Sequence, residues 1–379
     1  MILNDMKRIL FLTGTRADFG KIKSLISILE TDNYQFEVFV FVTGMHLQKE
    51  YGYTVIEIQR CNYKNVFTFE NHTHESTMDL TLAKTIEGLS SYCKEISPDM
   101  IVVHGDRVET LAGAIVGSLN NILVAHIEGG ELSGTVDELI RHSVSKLSHI
   151  HFVANEDAEK RLKQMGEIQS SIFTIGSPDI DIMFSNNLPE LALVKKYYEV
   201  EFENYGIVMF HPVTTELSKI ERYASDFVEA LLADTHNYIV IYPNNDMGSA
   251  TIINAYKRFE NNKRFRVFPS LRFEYFLTLL KHAQFIIGNS SAGIREAPYY
   301  NIPIINIGTR QQNRALAADI LNVDYNFSAI AEALSRIDDH SVVESNANFG
   351  SGNSAELFLE WLKKGDIWEI NHQKQFRDL

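Results

Sequence analysis

Three carboxylates sit just past short apolar runs: Asp106 after residues 100–104, Glu128 after residues 122–127, and Asp137 a few residues further on, with Glu138, Arg141 and His142 behind it. Crowded carboxylates raise one another's proton affinity, so one can stay a protonated acid while another is an ionised base. That combination suits removal and delivery of a proton. Taken alone, Asp106 also reads as a helix cap, because Asp is favoured there. Three such groups on neighbouring loop tips favour the acid/base reading.

A second group of residues suits anions. The turn Thr13-Gly14-Thr15-Arg16-Ala17-Asp18-Phe19-Gly20 precedes a helical pattern. It is neither GxGxxG nor a Walker A loop, so it supports neither a dinucleotide cofactor nor a P-loop nucleotide. Arg16 on a helix N-terminal turn is a phosphate ligand or a surface partner of Asp18. Further along, His211 follows the run 206–210, and Gly288-Asn289-Ser290-Ser291-Ala292-Gly293 ends one strand pattern and opens a helix. Backbone N–H groups and two hydroxyls there converge on phosphate oxygens, with His211 and Arg310 supplying positive charge and Arg314 following. Glu296 is placed to accept from both hydroxyls of a ribose diol. The second half of the chain therefore reads as a nucleoside-diphosphate site, and the first half as the carrier of acid/base groups.

These loops need strands to position them. Apolar, β-branched runs at residues 7–13, 36–43, 100–104, 122–127 and 150–153 are mostly followed by helical periodicity, and those at 206–210, 238–242, 265–268, 285–287 and 302–307 each are. Such alternation predicts α/β architecture with parallel sheets, in which ligands bind outside the carboxyl ends of the strands. At 379 residues the chain is long enough for two cores. The expected division is an N-terminal Rossmann-like domain over residues 1–180 and a C-terminal one over 181–360. Residues 361–379, with Trp361 and Trp368, are expected to form a terminal helix packing back on the first domain.

Composition excludes several classes. Only Cys61 and Cys93 occur, in no CxxC pair, against a disulfide framework, a zinc site or a dithiol centre. The net charge of −14 opposes nucleic acid and anionic membranes as partners. No apolar stretch approaches the ~20 residues of a bilayer span, and the N-terminus lacks a signal-peptide pattern, so a cytoplasmic protein is expected.

With these residues in view, the sequence resembles the hydrolysing UDP-N-acetylglucosamine 2-epimerases of sialic acid biosynthesis. The resemblance rests on TGTRADFGK from Thr13, HGDRVETLAGA from His104, HIEGGELSGTVDELIRHSVSKLSH from His126, GSPD from Gly176, MFHPVTTE from Met209, YPNND from Tyr242, FPSLRFEYF from Phe268, GNSSAGIREAPYY from Gly288 and GTRQQNR from Gly308. These segments run in order over residues 7–315, and the stretch after Val323 carries less of the pattern. The resemblance implies a GT-B-like pair of Rossmann-like domains with the active site in the cleft between them. It implies UDP held by His211, Asn244, Ser270, Ser290, Ser291, Glu296 and Arg310 with Arg16 reaching across, and acid/base roles for Asp106, Glu128 and Asp137 with Arg107 beside them. The implied reaction converts UDP-N-acetylglucosamine and water to N-acetylmannosamine and UDP through 2-acetamidoglucal, with no cofactor or metal, in a homo-oligomer (dimer or tetramer). Closely similar enzymes act on UDP-2,4-diacetamido-2,4,6-trideoxyglucose in legionaminic acid synthesis, and the motifs do not separate the two substrates. The Thr-Gly-Thr-Arg-Ala-Asp and Gly-Glu-Leu-Ser-Gly segments resemble the hydrolysing branch more than the non-hydrolysing one. Three intact carboxylates speak against a catalytically silent UDP-sugar-binding protein.

Overall fold

The computed structural model describes residues 6–31, 35–72, 77–133, 136–311, 320–337 and 349–377; Arg314 lies outside them. The chain divides into two compact units. Met1–Glu131, Asp137–Asn186 and Asn348–Leu379 form the first, and Leu132–Val136 with Asn187–Ala347 the second.

The first unit is built on seven strands, β1 (Lys7–Thr13), β2 (Phe36–Val42), β3 (Val66–Thr68), β4 (Met100–His104), β5 (Leu123–Ile127), β6 (Ile150–Val153) and β7 (Ile172–Thr174), in the order β3-β2-β1-β4-β5-β6-β7. The second is built on six, β8 (Gly206–Met209), β9 (Tyr238–Ile241), β10 (Phe265–Phe268), β11 (Phe285–Gly288), β12 (Ile304–Ile307) and β13 (Ile320–Val323), in the order β10-β9-β8-β11-β12-β13. Every pairing among them is parallel. Strands covered by helices on both faces read as unbroken apolar runs. Accordingly Ile9, Leu10 and Phe11 of β1 are wholly buried, as are Val40, Phe41 and Val42 of β2. The helix Arg16–Thr31 supplies Phe19, Ile22, Leu25, Ile26 and Leu29 to this core at helical spacing. In the second unit Phe227 and Leu231 of the helix Ile220–Ala233 pack with Val208 and Val240 of the sheet.

Strand order reverses between β1 and β4 in the first unit and between β8 and β11 in the second. Such a switch point opens a crevice at the carboxyl edge of a parallel sheet. The Thr13–Gly20 turn and Gly105–Arg107 flank the first; His211 and the Gly288–Gly293 loop flank the second.

The two units meet in sequence at Asn186/Asn187, six residues past the expected division at 180, because the helix Pro178–Phe184 packs on the first unit's helix Arg16–Thr31. The C-terminal segment rejoins the first unit from Asn348 onward, earlier than the expected 361. Its helix runs Ser354–Lys363, with Gly365 just beyond its end. Asp181 fixes the start of this helix, its carboxylate accepting from the N–H groups of Ser354 at 2.8 Å and Ala355 at 2.9 Å. The wholly buried Phe358 lies 6.3 Å from Phe11 and 4.8 Å from Phe152, ring centre to ring centre. Removing that ring leaves a cavity in the middle of the first sheet's core, so Phe358→Ala is expected to destabilise the first unit by ~3–5 kcal/mol. The chain has two tryptophans, Trp361 and Trp368, both packed against this core. Urea unfolding followed by tryptophan fluorescence therefore reads the change directly, and an unmoved midpoint would show that the returning segment is not part of the core.

Candidate active site

The carboxyl edge of the first sheet gathers buried charge. Beyond β5, Glu128 takes a left-handed backbone conformation with φ +63° and is 3 % exposed. A non-glycine residue there carries strain, a feature that clusters at functional sites. Its N–H donates to the carbonyl of Phe152 at 2.9 Å, so the turn is tied to β6. Gly130 continues the turn at φ +75°, where a side chain would meet the Ala158 carbonyl oxygen.

Arg141, on the helix Val136–Leu147, organises the carboxylates. Its guanidinium is 3 % exposed, donating through Nη1 to the Glu128 carbonyl at 2.6 Å and through Nη2 to the Asp106 carboxylate. Asp137 lies one turn earlier on the same helix. Asp106 is therefore not the cap of the following helix. Arg107 holds that position with no side-chain bond, and the Asp106 carboxylate is drawn to Arg141 instead. Arg107 Nε lies 3.8 Å from Glu109 Oε2.

Behind Glu128 lies a second layer. Ser177 Oγ donates to Glu128 Oε1, Lys21 Nζ stands 3.8 Å from the same oxygen and 3.1 Å from Asp179 Oδ2, and His104 Nε2 stands 3.2 Å from Glu128 Oε2. The other ring nitrogen of His104 donates to Asp18 Oδ1 at 3.0 Å. Burial opposes charge on His104, but Glu128 and Asp18 override it and raise its pKa to about 9. His126, also buried, has the opposite fate. With no carboxylate beside it, burial lowers it to about 3, and as a neutral ring its Nε2–H donates to the Gly105 carbonyl at 2.8 Å.

At the start of the first helix, Thr15 Oγ1 accepts from the Asp18 N–H at 3.1 Å, and Asp18 Oδ2 accepts from the Gly14 N–H at 3.0 Å. Asp18 is thus occupied by Gly14 and His104 rather than by Arg16, whose guanidinium lies 3.9 Å from Glu57.

In the second unit Asn289 joins the elements around the switch point. Wholly buried, it accepts the His211 N–H at 2.7 Å and donates to the His211 carbonyl at 2.9 Å, while its own carbonyl accepts from Arg310 at 3.2 Å and from Gln311 at 2.9 Å. Asn244 N–H donates to His211 Nδ1 at 3.0 Å, which leaves Nε2 as the proton-bearing nitrogen of a neutral ring. Gly288 precedes Asn289 at φ +138°, and a Cβ there would fall 2.0 Å from the Met209 carbonyl oxygen. Ser290 and Ser291 follow, the Ser290 hydroxyl accepting from the Ala292 N–H at 3.3 Å. Glu296, 4 % exposed, ends the helical turn Ala292–Arg295. Ser270 stands in the loop after β10, its hydroxyl buried and without a hydrogen-bond partner among the described residues.

Of the residues singled out in the sequence, Asp106 and the Glu128 turn are thus joined through Arg141, with Asp137 one turn away on the same helix; His211 and Arg310 are joined through Asn289, with Asn244 bonded to His211 and Ser290 and Ser291 next along the chain. His104, Lys21, Ser177 and Asp179 complete the first group, and Asp18 joins it through His104. Their signal was present in the quoted segments, Lys21 closing TGTRADFGK and Asp179 closing GSPD, but nothing local marks them as partners of Glu128. Among the described residues no helix is long and apolar enough to cross a membrane.

Comparison with known proteins agrees with this geometry. The family described as UDP-N-acetylglucosamine 2-epimerase matches residues 29–363. A UDP-N-acetylglucosamine 2-epimerase of Neisseria meningitidis serogroup B is 50% identical, over 99% of this chain and 100% of that protein. A UDP-N,N'-diacetylbacillosamine 2-epimerase (hydrolyzing) of Legionella pneumophila is 31% identical, over 94% and 96%. The fold is that of the Methanocaldococcus jannaschii UDP-GlcNAc 2-epimerase solved with UDP-GlcNAc and UDP, with a TM-score of 0.79 and 22% identity over 95% of this chain and 100% of that one. Two parallel-sheet Rossmann-like units in a GT-B-like fold, the two clusters at their switch points and a family match over most of the length lead to one conclusion: the chain belongs to the UDP-N-acetylglucosamine 2-epimerase family.

Proposed function

We propose that this protein is a hydrolysing UDP-N-acetylglucosamine 2-epimerase that forms N-acetylmannosamine and UDP for sialic acid synthesis. The observation that carries the reading is the Arg141 node, which holds the Asp106 carboxylate beside the Glu128 turn with Asp137 one turn away. Carbon 2 of the sugar is not adjacent to a carbonyl carbon of the ring, so direct deprotonation is prohibitively costly. Loosening of the bond between carbon 1 and UDP gives oxocarbenium character that acidifies carbon 2, and a carboxylate then removes the proton to leave 2-acetamidoglucal. His211, Arg310, Arg16 and the Ser290/Ser291 loop stabilise the departing diphosphate, with Asn244 and Ser270 lining the nucleotide and Glu296 on the ribose. Arg107 supports the sugar beside Asp106. Water then adds across the double bond as a carboxylic acid protonates the opposite face of carbon 2. The segments quoted above support the hydrolysing branch, as does the name of the Legionella relative. That relative also favours a second substrate, the UDP-linked diacetamido sugar, and incubation with each UDP-sugar, read by NMR, distinguishes them.

Asp106→Asn and Glu128→Gln are each expected to keep UDP binding within a few-fold while lowering turnover ~10²-fold or more, the usual weight of a positioned proton-transfer group. Turnover near wild type with collapsed UDP affinity would reassign both residues to binding.

On an acidic chain, UDP affinity must come from local groups. Calorimetry is expected to show His211→Ala and Ser290→Ala each weakening UDP binding by ~1–3 kcal/mol, as for a lost hydrogen bond to a charged group. Unchanged affinity in both would move the nucleotide elsewhere.

Elimination followed by hydration leaves isotopic marks. Reaction in deuterium oxide is expected to place deuterium at carbon 2 of the N-acetylmannosamine, and oxygen-18 water to label its anomeric oxygen but not UDP, read early against an N-acetylmannosamine control. Product without deuterium at carbon 2 rules out the mechanism; UDP-sugar that gains deuterium without net UDP release identifies the non-hydrolysing reaction.

A further inference from the structure

Asp106 and Glu128 differ in what stands behind them. Asp106 is held by the guanidinium of Arg141, which stabilises its anion but keeps its own protons at any working pH, so it cannot resupply one. Glu128 faces an imidazole, the side chain that gives and takes a proton most readily near neutrality. His104 Nε2 is 3.2 Å from Glu128 Oε2, and Asp18 holds the opposite nitrogen at 3.0 Å. Asp18 and Lys21 come from the first helix, Ser177 and Asp179 from the Pro178 turn, His104 from the end of β4 and Glu128 from beyond β5. All six are at least nine-tenths buried. Three carboxylates here, those of Asp18, Glu128 and Asp179, face one ammonium, Lys21; the imidazole proton brings the group towards neutrality. Two further histidines stand near this group, His126 by His104 and His46 by Asp18, and burial keeps both neutral, so they add no charge.

Resting on the hydrolysing reading above, we propose that Asp18 and His104 are positioning residues that hold a proton behind Glu128 and make Glu128 the acid that delivers a proton to carbon 2 during hydration of the glucal. In this step His104 Nε2 hands its proton to Glu128 Oε2, and the electron pair of the carbon 1–carbon 2 double bond takes that proton from Glu128 to form the new C–H bond. Water adds to carbon 1 and surrenders a proton to Asp106, which has already passed the abstracted proton to solvent. Glu128 is left ionised, and His104 regains its proton from solvent. Asp106 is then the base of the elimination.

The test separates the two half-reactions by following UDP, N-acetylmannosamine and 2-acetamidoglucal together, starting from UDP-N-acetylglucosamine. In His104→Gln, which keeps a hydrogen-bonding group but no exchangeable charge, UDP release is expected within a few-fold of wild type. The ratio of hydrated sugar to free glucal is expected to fall at least ~10-fold, because only hydration loses its proton source. Asp18→Asn should shift the ratio in the same direction. A measurement on the unaltered protein stands independently of how either variant folds: His104 is charged below about 9 and neutral above it, so the glucal fraction should rise as pH passes through about 9. A His104→Gln protein that slows UDP release and sugar formation equally, with no glucal, would reduce the pair to a structural role and overturn the inference. A wild-type glucal fraction flat from pH 7 to 10 does the same. Wild-type protein that releases no UDP overturns the hydrolysing reading itself, and the inference with it.

Discussion

A buried guanidinium must have its donors met, and the way Arg141 meets that demand fixes the geometry at the carboxyl edge of the first sheet. A guanidinium removed from water loses several kcal/mol of hydration, recovered only through well-formed bonds to acceptors. Here the acceptors are a backbone carbonyl in one loop and a carboxylate in the next. The rigid fork of the group therefore sets the spacing between the turn after β4 and the turn after β5, while its own helix carries Asp137. The left-handed backbone at Glu128 persists because this bond, the link to Phe152 and the contact of Gly130 with Ala158 leave the turn no alternative.

The same economy governs the second unit without a charged centre. The side-chain amide of Asn289 exchanges two hydrogen bonds with the backbone of His211, and so ties the segments that follow β8 and β11 together beyond the end of the sheet. With its own carbonyl it gathers Arg310 and Gln311. On a chain of net charge −14, an anion could be held only by such a local framework, where backbone N–H groups and one or two cations act at short range and distant carboxylates are screened by solvent.

Much of this was legible in the sequence. Central strands such as β1, β2, β4 and β11 announce themselves as apolar runs because both faces are covered, and each site motif follows directly on such a run. The strands β3, β7 and β13 carry no such mark: they are three or four residues long, too short for a run or an alternation to stand out, and β3 and β13 are mostly not buried. The partners of Glu128 escaped for a different reason. Lys21, Ser177 and Asp179 approach it from elements 49 or more residues away in sequence, and only the strand order β1-β4-β5 brings them together. A local pattern names the loops at the edge of a parallel sheet; which loops become neighbours is decided by crossover connections that leave no local trace.

The return of the chain to the first unit at Asn348 has a consequence for how the molecule is made. The ribosome completes β1 to β7 long before it reaches Phe358, whose ring belongs between Phe11 and Phe152. Until then the first sheet emerges with part of one apolar face uncovered and without the Asp181-capped helix. The second unit, apart from the five-residue piece at 132–136, is continuous in sequence, and all six of its strands have been synthesised while the last segment of the first is still unmade. Order of synthesis and order of completion are therefore reversed: the half of the chain translated first is the half that closes last.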